Sequence, residues 1–421
     1  MATVDRTQLL EAMETGTMGV DWEDRINFDR LRRQRLAKAQ DAIRDSEADA
    51  LFVFRTEDAR YLVSYRHHLG PAAIVGNATV VLNADSDPVL FTMDEEHCRT
   101  RMSWLEGDQI QPRANFREPE GVGEFVARVT KLFGSLDNKT VGVDLYSPGL
   151  AKRLEEAFPK TTFVDGYEIL LKAKRIKTAD EIACLIAAAA ITESGMDAAL
   201  RMLRPGVKEC EVLATAWYAM TALGSEWTQC SNIVCSGPYT APYRRFTSDR
   251  VIRLGDPVII DIGGCFNGYW GDMTRTYICG DVAPSKEQID LHQRCYDALF
   301  RACAACVPGN TNADVVEAAG EEYVLSSLGH GSGVNPWEPP HFSITSKLDP
   351  LPLETGMVAN LEPYCGEPGI GGFRLENNLW IEDNGSRIYT TYPFDERLVD
   401  TPHPLDVTTG RSSASSAVRL A

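Results

Sequence analysis

The stretch VIIDIGGCFNGYWGDMTRTY, residues 258–277, constrains the fold more than any other part of the chain. β-Branched residues lead into Asn267-Gly268, and aromatic and threonine residues lead out of it. An Asn-Gly pair between two such runs predicts a β-hairpin with a two-residue turn. The turn sets the register of the two strands and places Phe266 opposite Tyr269.

The same register brings two carboxylates together. Gly263 lies opposite Asp272, and Asp261 shares a strand face with Gly263 because side chains alternate along a strand. Asp261 and Asp272 are therefore predicted to project from one face as diagonal neighbours. Two such carboxylates on a mostly apolar hairpin are costly to bury unless a cation neutralises them. The hairpin thus indicates a metal site.

The length of the chain limits the number of domains, and its net charge limits the class of partner. The chain has 421 residues, enough for two domains, and a formal net charge of -18. Nucleic acid and anionic membranes require a basic surface, so neither is expected as a partner. The charge is compatible with cations and neutral small molecules.

The N-terminal sequence and the cysteines indicate the compartment. The first 19 residues, MATVDRTQLLEAMETGTMG, carry acidic residues where a secretory signal has a basic region, and no long apolar stretch suggests a membrane span. The eleven cysteines have no regular spacing and are interpreted as buried, reduced thiols. We therefore expect a cytoplasmic protein.

The pattern of helices and strands predicts two domains and a tail. Residues 27–168 alternate predicted helices and strands, as in an α/β unit, and residues 172–400 predict an α+β domain with antiparallel strands. A capping box, Thr178 with Glu181, opens the long helix that starts the second domain. Residues 408–421 contain few apolar side chains and are predicted to be a flexible tail.

Three further polar residues belong with the two aspartates. His330 lies in a Gly-His-Gly turn, and Glu362 and Glu376 lie in two late segments predicted to be strands, MVANLEPY and FRLENNLWI. Four carboxylates and one imidazole form a ligand set suited to Mn²⁺, Fe²⁺ or Co²⁺, with Zn²⁺ also compatible. Two such ions close together would activate a water molecule that bridges them.

With these residues, the chain resembles the pita-bread metallohydrolases, the family of methionine aminopeptidase, aminopeptidase P, prolidase and the creatinase-like enzymes. The resemblance covers about residues 170–395, and the first domain resembles a creatinase-type N-terminal domain. It implies an α+β fold in which a smaller α/β domain precedes a pita-bread catalytic domain. By the family pattern, Asp261 binds one ion, His330 and Glu362 bind the other, and Asp272 and Glu376 bridge them.

The family pattern also implies residues around the ligands. Arg374 and Thr274 match positions that orient them. Proline-directed peptidases of the family carry two further histidines, and the corresponding residues here are Tyr243 and Trp337. Neither replaces an imidazole as a base, although tyrosine can donate a hydrogen bond. His341 is close enough in sequence to Trp337 to take part in substrate binding, although a histidine in an exposed loop is the simpler interpretation.

A second branch, the dimethylsulfoniopropionate lyases, resembles the chain at Gly224-Ser-Glu-Trp227, Ser236-Gly-Pro238 and Pro242. The acidic base of those lyases falls on Pro336, and their extra aspartate falls on Gly263. Trp227 and the other aromatic residues near the ligands would favour a small apolar or cationic substrate.

One segment of the first domain is a further candidate for substrate binding. Residues 61–68, YLVSYRHH, resemble the loop that, in creatinase-like dimers, reaches into the active site of the neighbouring subunit. Arg66 and His67 would then contact the substrate, and Arg66 suits a carboxylate. This resemblance implies a homodimer.

Together these observations predict an enzyme with two divalent metal ions per chain. The expected activity is hydrolysis of a C–N bond, an amide or a short peptide of the Xaa-Pro type, by a hydroxide that bridges the metals. Glu376, Tyr243, Arg374 and Trp337 are the expected catalytic residues. Two alternatives remain: a metal-dependent lyase acting on a small zwitterion, and a non-catalytic binding module that keeps only the fold.

Overall fold

The computed structural model describes residues 26–66, 78–113, 115–116, 118–145, 147–227 and 232–406, and one short strand, Val418–Leu420. His67, one of the residues expected to bind substrate, lies outside the described residues.

The first domain is a six-stranded mixed sheet with helices on both faces, as the alternating pattern predicts. The sheet order is β4-β3-β2-β1-β5-β6. Its strands are β1 (Ala50–Val53), β2 (Ala78–Asn83), β3 (Val89–Thr92), β4 (Ile110–Pro112), β5 (Thr140–Val143) and β6 (Thr162–Asp165). Its helices are α1 (Phe28–Arg44), α2 (Thr56–Val63), α3 (Glu95–Arg101), α4 (Pro119–Phe133), α5 (Pro148–Ala157) and α6 (Tyr167–Arg175).

The central strand β1 is buried on both faces because helices cover the sheet on each side. Leu51 and Val53 face one apolar cluster, and Phe52 faces the other. The ring of Phe52 lies 5.3 Å from that of Phe125 on α4. The continuous apolar run in the sequence therefore encodes a strand with two covered faces.

A long helix, α7 (Ala179–Met202), begins the second domain, and the predicted capping box opens it. The Thr178 hydroxyl accepts a hydrogen bond from the Glu181 amide at 3.3 Å, and the Glu181 carboxylate accepts one from the Thr178 amide at 2.9 Å. By length and composition alone α7 would pass for a membrane-spanning helix, but its apolar window is 56% buried inside the protein. The helix α8 (Glu209–Ala222) follows it and packs against it.

The remaining elements of the second domain form two main sheets, antiparallel except for β19, and two short ribbons. The strand orders are β11-β8-β7 and β13-β12-β14-β17-β18-β19 for the sheets, and β10-β9 and β15-β16 for the ribbons. The strands are β7 (Ile233–Ser236), β8 (Pro257–Ile262), β9 (Cys265–Phe266), β10 (Tyr269–Trp270), β11 (Met273–Ile278), β12 (Gly329–Gly331), β13 (Glu338–Phe342), β14 (Val358–Leu361), β15 (Tyr364–Glu367), β16 (Gly371–Arg374), β17 (Asn377–Glu382), β18 (Gly385–Ile388) and β19 (Val418–Leu420). The helices α9 (Lys286–Ala305) and α10 (Asn312–Ala319) cover the larger sheet.

Three sequence predictions differ from the structure. The segments expected to be single strands through Glu362 and Glu376 are each broken at the glutamate, which lies between β14 and β15 in one case and between β16 and β17 in the other. Pro363, which has no amide hydrogen to donate to a ladder, accompanies the first break. The predicted flexible tail contains a strand, because β19 pairs in parallel with β18.

Two buried lysines lie at the junction of the two domains. Lys174 on α6 donates to Asp58 of the first domain at 2.5 Å and to Asn335 of the second domain at 2.7 Å. Lys177 lies 2.7 Å from Glu338, and both side chains are 1% exposed. A charge removed from water in this way stabilises a structure only when its partner is in place. These pairs therefore fix how the first domain sits against the segment that follows His330.

Candidate metal centre

The hairpin at the centre of the site has the predicted turn and register. Asn267 and Gly268 both have positive φ, 49° and 82°, as a two-residue hairpin turn of this type requires. Phe266 pairs with Tyr269, and Asp261 on β8 pairs with Thr274 on β11. The prediction of Phe266 opposite Tyr269 is therefore confirmed.

Three carboxylates lie together, two from this hairpin and one from the segment between β16 and β17. Oxygen atoms of Asp261, Asp272 and Glu376 all lie within 4.8 Å of one another, and all three side chains are buried. Burial, and then the nearby charge of Asp272, raises the pKa of Glu376 well above its usual value. Like charges this close in a buried site indicate a place for a cation.

His330 presents one ring nitrogen to this cluster. Its Nδ1 lies 3.0 Å from the carbonyl oxygen of Gly331, so the Nδ1 hydrogen is donated there and Nε2 is left as an acceptor. Nε2 lies 3.7 Å from Asp272 Oδ2 and 3.9 Å from Glu362 Oε1. Burial lowers the pKa of His330 and favours the neutral imidazole, the form that binds a metal ion.

The flanking glycines let the histidine strand lie close to its neighbours. A Cβ atom at Gly329 would lie 2.1 Å from the carbonyl oxygen of Asn360 on β14, and one at Gly331 would lie 2.6 Å from that of Pro339 on β13. Glycine is therefore required on both sides of His330 for β12 to pair with β13 and β14.

Three residues hold the carboxylates from outside the cluster. Thr274 donates its hydroxyl to Glu376 Oε2 at 3.0 Å, and the Tyr243 hydroxyl donates to Asp261 Oδ2 at 3.2 Å. Arg374 is buried and forms an ion pair with Glu362. Thr274 and Arg374 are the two residues to which the sequence resemblance gives an orienting role, and that role stays a prediction.

The donor set fits divalent metal ions. Four buried carboxylates face one guanidinium and one neutral imidazole, which leaves an excess of negative charge inside the protein. Glu376 Oε1 is buried and has no hydrogen-bond partner among the described residues. Oxygen and imidazole ligands of this kind suit Mn²⁺, Fe²⁺, Co²⁺ and Zn²⁺.

The other predicted site residues lie around the cluster or away from it. Trp337 is 47% exposed, and its ring lies edge-on, 6.3 Å from that of His330. His341 is exposed, but it lies on β13 opposite His330, so the interpretation as a loop residue is wrong. Arg66 forms an ion pair with Glu226 of the same chain, and Trp227 lies next to that glutamate.

Glu226 was named in the sequence only as part of Gly224-Ser-Glu-Trp227, with no role of its own. It lies beside Trp227 in a small cavity of about 40 Å³ that Arg60, Tyr65 and Trp270 also line. Arg60 donates to Glu226 at 2.9 Å, across the boundary between the domains. The segment around Glu226 could not reveal this role, because the arginines that contact it, Arg60 and Arg66, are far away in sequence.

Two family models match the chain. One describes metallopeptidase family M24 and matches residues 183–383, and the other describes the creatinase/prolidase N-terminal domain and matches residues 35–176.

Individual relatives agree with these models. The chain is 30% identical over 263 residues to an Xaa-Pro dipeptidase of Pyrococcus furiosus, an alignment that covers 60% of this chain and 74% of the relative. It is 27% identical to the peptidase YqhT of Bacillus subtilis, covering 82% of this chain and 94% of that one. The dipeptidase PepE of Mycobacterium ulcerans has a similar structure, with a TM-score of 0.73 and 27% identity, covering 87% of this chain and 97% of that one.

Proposed function

The chain belongs to metallopeptidase family M24 and is a hydrolase, and from that premise we propose that it cleaves the peptide bond of short peptides of the Xaa-Pro type. The fold is that of the family, with a creatinase-type N-terminal domain before a pita-bread catalytic domain. The substrate class rests on the relatives, one of which is named an Xaa-Pro dipeptidase.

The observation that carries the proposal is the convergence of three carboxylates with the histidine. Asp261, Asp272 and Glu376 place oxygen atoms within 4.8 Å of one another, and His330 directs Nε2 toward Asp272 at 3.7 Å. We assign these residues and Glu362 as ligands of two divalent metal ions. When bound, the ions would activate a water molecule and polarise the carbonyl group of the scissile bond.

The protein's own residues have separate roles in this proposal. Glu376 Oε1 would accept a proton from the attacking water, while Thr274 keeps Oε2 in position. Tyr243 orients Asp261 through its hydroxyl, and Arg374 balances the charge of Glu362. Each of these contacts is in place within the folded protein, so little reorganisation is needed during the reaction.

The surroundings of the cluster favour a small substrate. Trp337 occupies the position at which proline-directed relatives are expected to carry a histidine, and its exposed ring would contact the substrate. His341, Trp227, Arg66 and His67 are proposed as outer substrate contacts. Homodimer formation and a cytoplasmic location stay predictions from the sequence.

The test compares metal content and activity in the wild-type protein and in Asp272→Ala. We expect about two transition-metal ions per wild-type chain by elemental analysis and release of free proline from Xaa-Pro dipeptides, with both lost in the variant. Asp290→Ala is the matched control, because Asp290 is an exposed aspartate on α9. Release of dimethyl sulfide from dimethylsulfoniopropionate, without dipeptide cleavage, would favour the lyase instead. A folded wild-type protein that binds no metal would refute the proposal.

A further inference from the structure

A fully buried carboxylate lies behind the segment that carries Tyr243. Glu209, the first residue of α8, is 0% exposed. Its two oxygens accept six hydrogen bonds, which come from Ser236, Arg245 and Ser248. One guanidinium nitrogen of Arg245, Nη2, lies 2.5 Å from Oε1 and 2.6 Å from Oε2. A carboxylate removed from water requires such partners, so its position and theirs are fixed together.

The two serines lie at the two ends of one loop. Ser236 is the last residue of β7, and Ser248 follows residues 237–247, which we call the Tyr243 loop. Ser236 donates its amide and its hydroxyl to Oε1 of Glu209 at 2.9 and 2.7 Å. Ser248 donates its amide and its hydroxyl to Oε2 at 3.1 and 2.8 Å. One carboxylate therefore joins the start of the Tyr243 loop to its end.

Tyr243 lies in this loop two residues before Arg245, and its hydroxyl donates to Asp261 Oδ2 at 3.2 Å. The loop leaves from β7, and β7 pairs with β8, the strand that carries Asp261. A separation of 3.2 Å is long for a bond between two oxygen atoms, and a shift of the hydroxyl by about 0.4 Å would break it. The contact with Asp261 is therefore sensitive to small movements of the loop.

The base of the loop has other contacts that do not need the Glu209 side chain. The Cys210 amide donates to the Ser248 carbonyl at 3.0 Å, and the Thr247 hydroxyl accepts a hydrogen bond from a β7 amide at 2.8 Å. Arg245 differs, because its side chain is 27% exposed and can turn to water when the carboxylate is neutralised. Loss of the Glu209 charge should therefore loosen the part of the loop next to Tyr243 and leave the domain folded.

We propose that Glu209 is a positioning residue of the metal centre: through Arg245, it holds the Tyr243 loop where the Tyr243 hydroxyl reaches Asp261. Glu209 itself contacts neither the metal ligands nor the substrate. The inference rests on the proposed function, in which Asp261 is a ligand of a metal ion. The competing interpretation is that the buried network adds only stability to the domain.

Glu209→Gln tests the proposal, because it keeps the size of the side chain and removes its charge. We expect Mn²⁺ binding, measured by titration calorimetry, to weaken by about 10-fold, the lower end of the range for groups that orient metal ligands. Asp180→Asn is the matched control. Asp180 is also a buried carboxylate paired with a partly exposed arginine, Arg30, at 2.7 and 2.8 Å, and that pair joins α1 to α7. The control should lose stability in urea but keep the Mn²⁺ affinity of wild type, and an unchanged affinity in Glu209→Gln would overturn the proposal.

A double variant tests whether the effect passes through Tyr243. Tyr243→Phe already lacks the hydrogen bond to Asp261, so adding Glu209→Gln should change Mn²⁺ affinity by less than about 2-fold. In urea, the loss of stability caused by Glu209→Gln should be the same with tyrosine or phenylalanine at position 243. A further loss of Mn²⁺ affinity as large as that of Glu209→Gln alone would overturn the route through Tyr243.

Tryptic cleavage of the metal-free protein measures the position of the loop without any metal. Trypsin cuts after arginine, and Arg244 and Arg245 both lie in the Tyr243 loop. Fragments that end at these residues, detected by mass spectrometry, should form faster from Glu209→Gln than from wild type or Asp180→Asn. Equal rates would show that Glu209 does not hold the loop. A wild-type protein that binds no Mn²⁺ would refute the proposed function, while the cleavage rates would still decide whether Glu209 fixes the loop.

Discussion

Replacing Glu376 by glutamine should have opposite effects on the metal-free protein and on metal binding. Glu376 is fully buried and shares its site with Asp261 and Asp272 at oxygen separations of at most 4.8 Å. At an effective dielectric constant of about 20, two charges at that distance repel by about 3.5 kcal/mol. Glutamine keeps the size of the side chain and its acceptor for the Thr274 hydroxyl but removes the charge.

The sign of the pH dependence follows from the raised pKa of Glu376. Below about pH 4.3, the usual pKa of glutamate, the folded and unfolded states both hold the proton. As the pH rises, the unfolded state loses its proton first, so the free energy of unfolding of the metal-free protein falls until the raised folded pKa is passed. Glu376→Gln removes this loss and should stabilise the metal-free protein at pH 8 by about 3 kcal/mol.

Urea unfolding of chelator-treated protein at pH 5 and pH 8 measures this difference. The variant should gain stability over wild type at pH 8, and the gain should be smaller at pH 5. Metal analysis should show that the variant binds less metal, because a neutral amide is a poorer ligand than a carboxylate. Glu367→Gln, an exposed glutamate on β15, is the matched control. A variant that is less stable than wild type at pH 8 without metal would refute the reasoning.

Three further predictions concern residues around the centre. Tyr243→Phe removes the hydrogen bond to Asp261 and should lower kcat or metal affinity by about 10–100-fold. Tyr364→Phe is the control and should change neither, because the Tyr364 hydroxyl donates to a backbone carbonyl. Lys174→Met leaves the buried charge of Asp58 without its 2.5 Å partner and should lower the free energy of unfolding, measured in urea, by about 3–5 kcal/mol. Adding Asp58→Asn should restore part of that loss, and a single variant as stable as wild type would show that this ion pair does not stabilise the protein. Trp337→His places an imidazole beside His330 and should raise kcat/KM for Xaa-Pro dipeptides by up to about 100-fold; an unchanged rate, with metal content intact, would show that a missing imidazole does not limit turnover.

The local part of the site could be predicted from the sequence. Asn267-Gly268 favours one kind of turn, and that turn sets which residues of β8 and β11 face each other, so the pairing near Asp261 and Asp272 depends on a short stretch of chain. The capping box at Thr178 is local in the same way. His330, Glu362 and Glu376 could be named as candidates from the sequence, and the family resemblance assigned them as ligands, but neither predicted the strand breaks at the two glutamates.

Only the tertiary structure decided how distant segments meet. The contacts of Lys174 with Asp58 and Asn335 join residues separated by 116 and 161 positions, and the pairing of His330 with His341 and Asn360 depends on the register of strands from different parts of the chain. A one-residue change of register would turn the side chain of His330 to the opposite face of the sheet. Turn chemistry acts between neighbours in sequence, whereas the register between distant strands is selected by the packing of the whole domain. That is why the hairpin was predictable and the strand pairing around His330 was not.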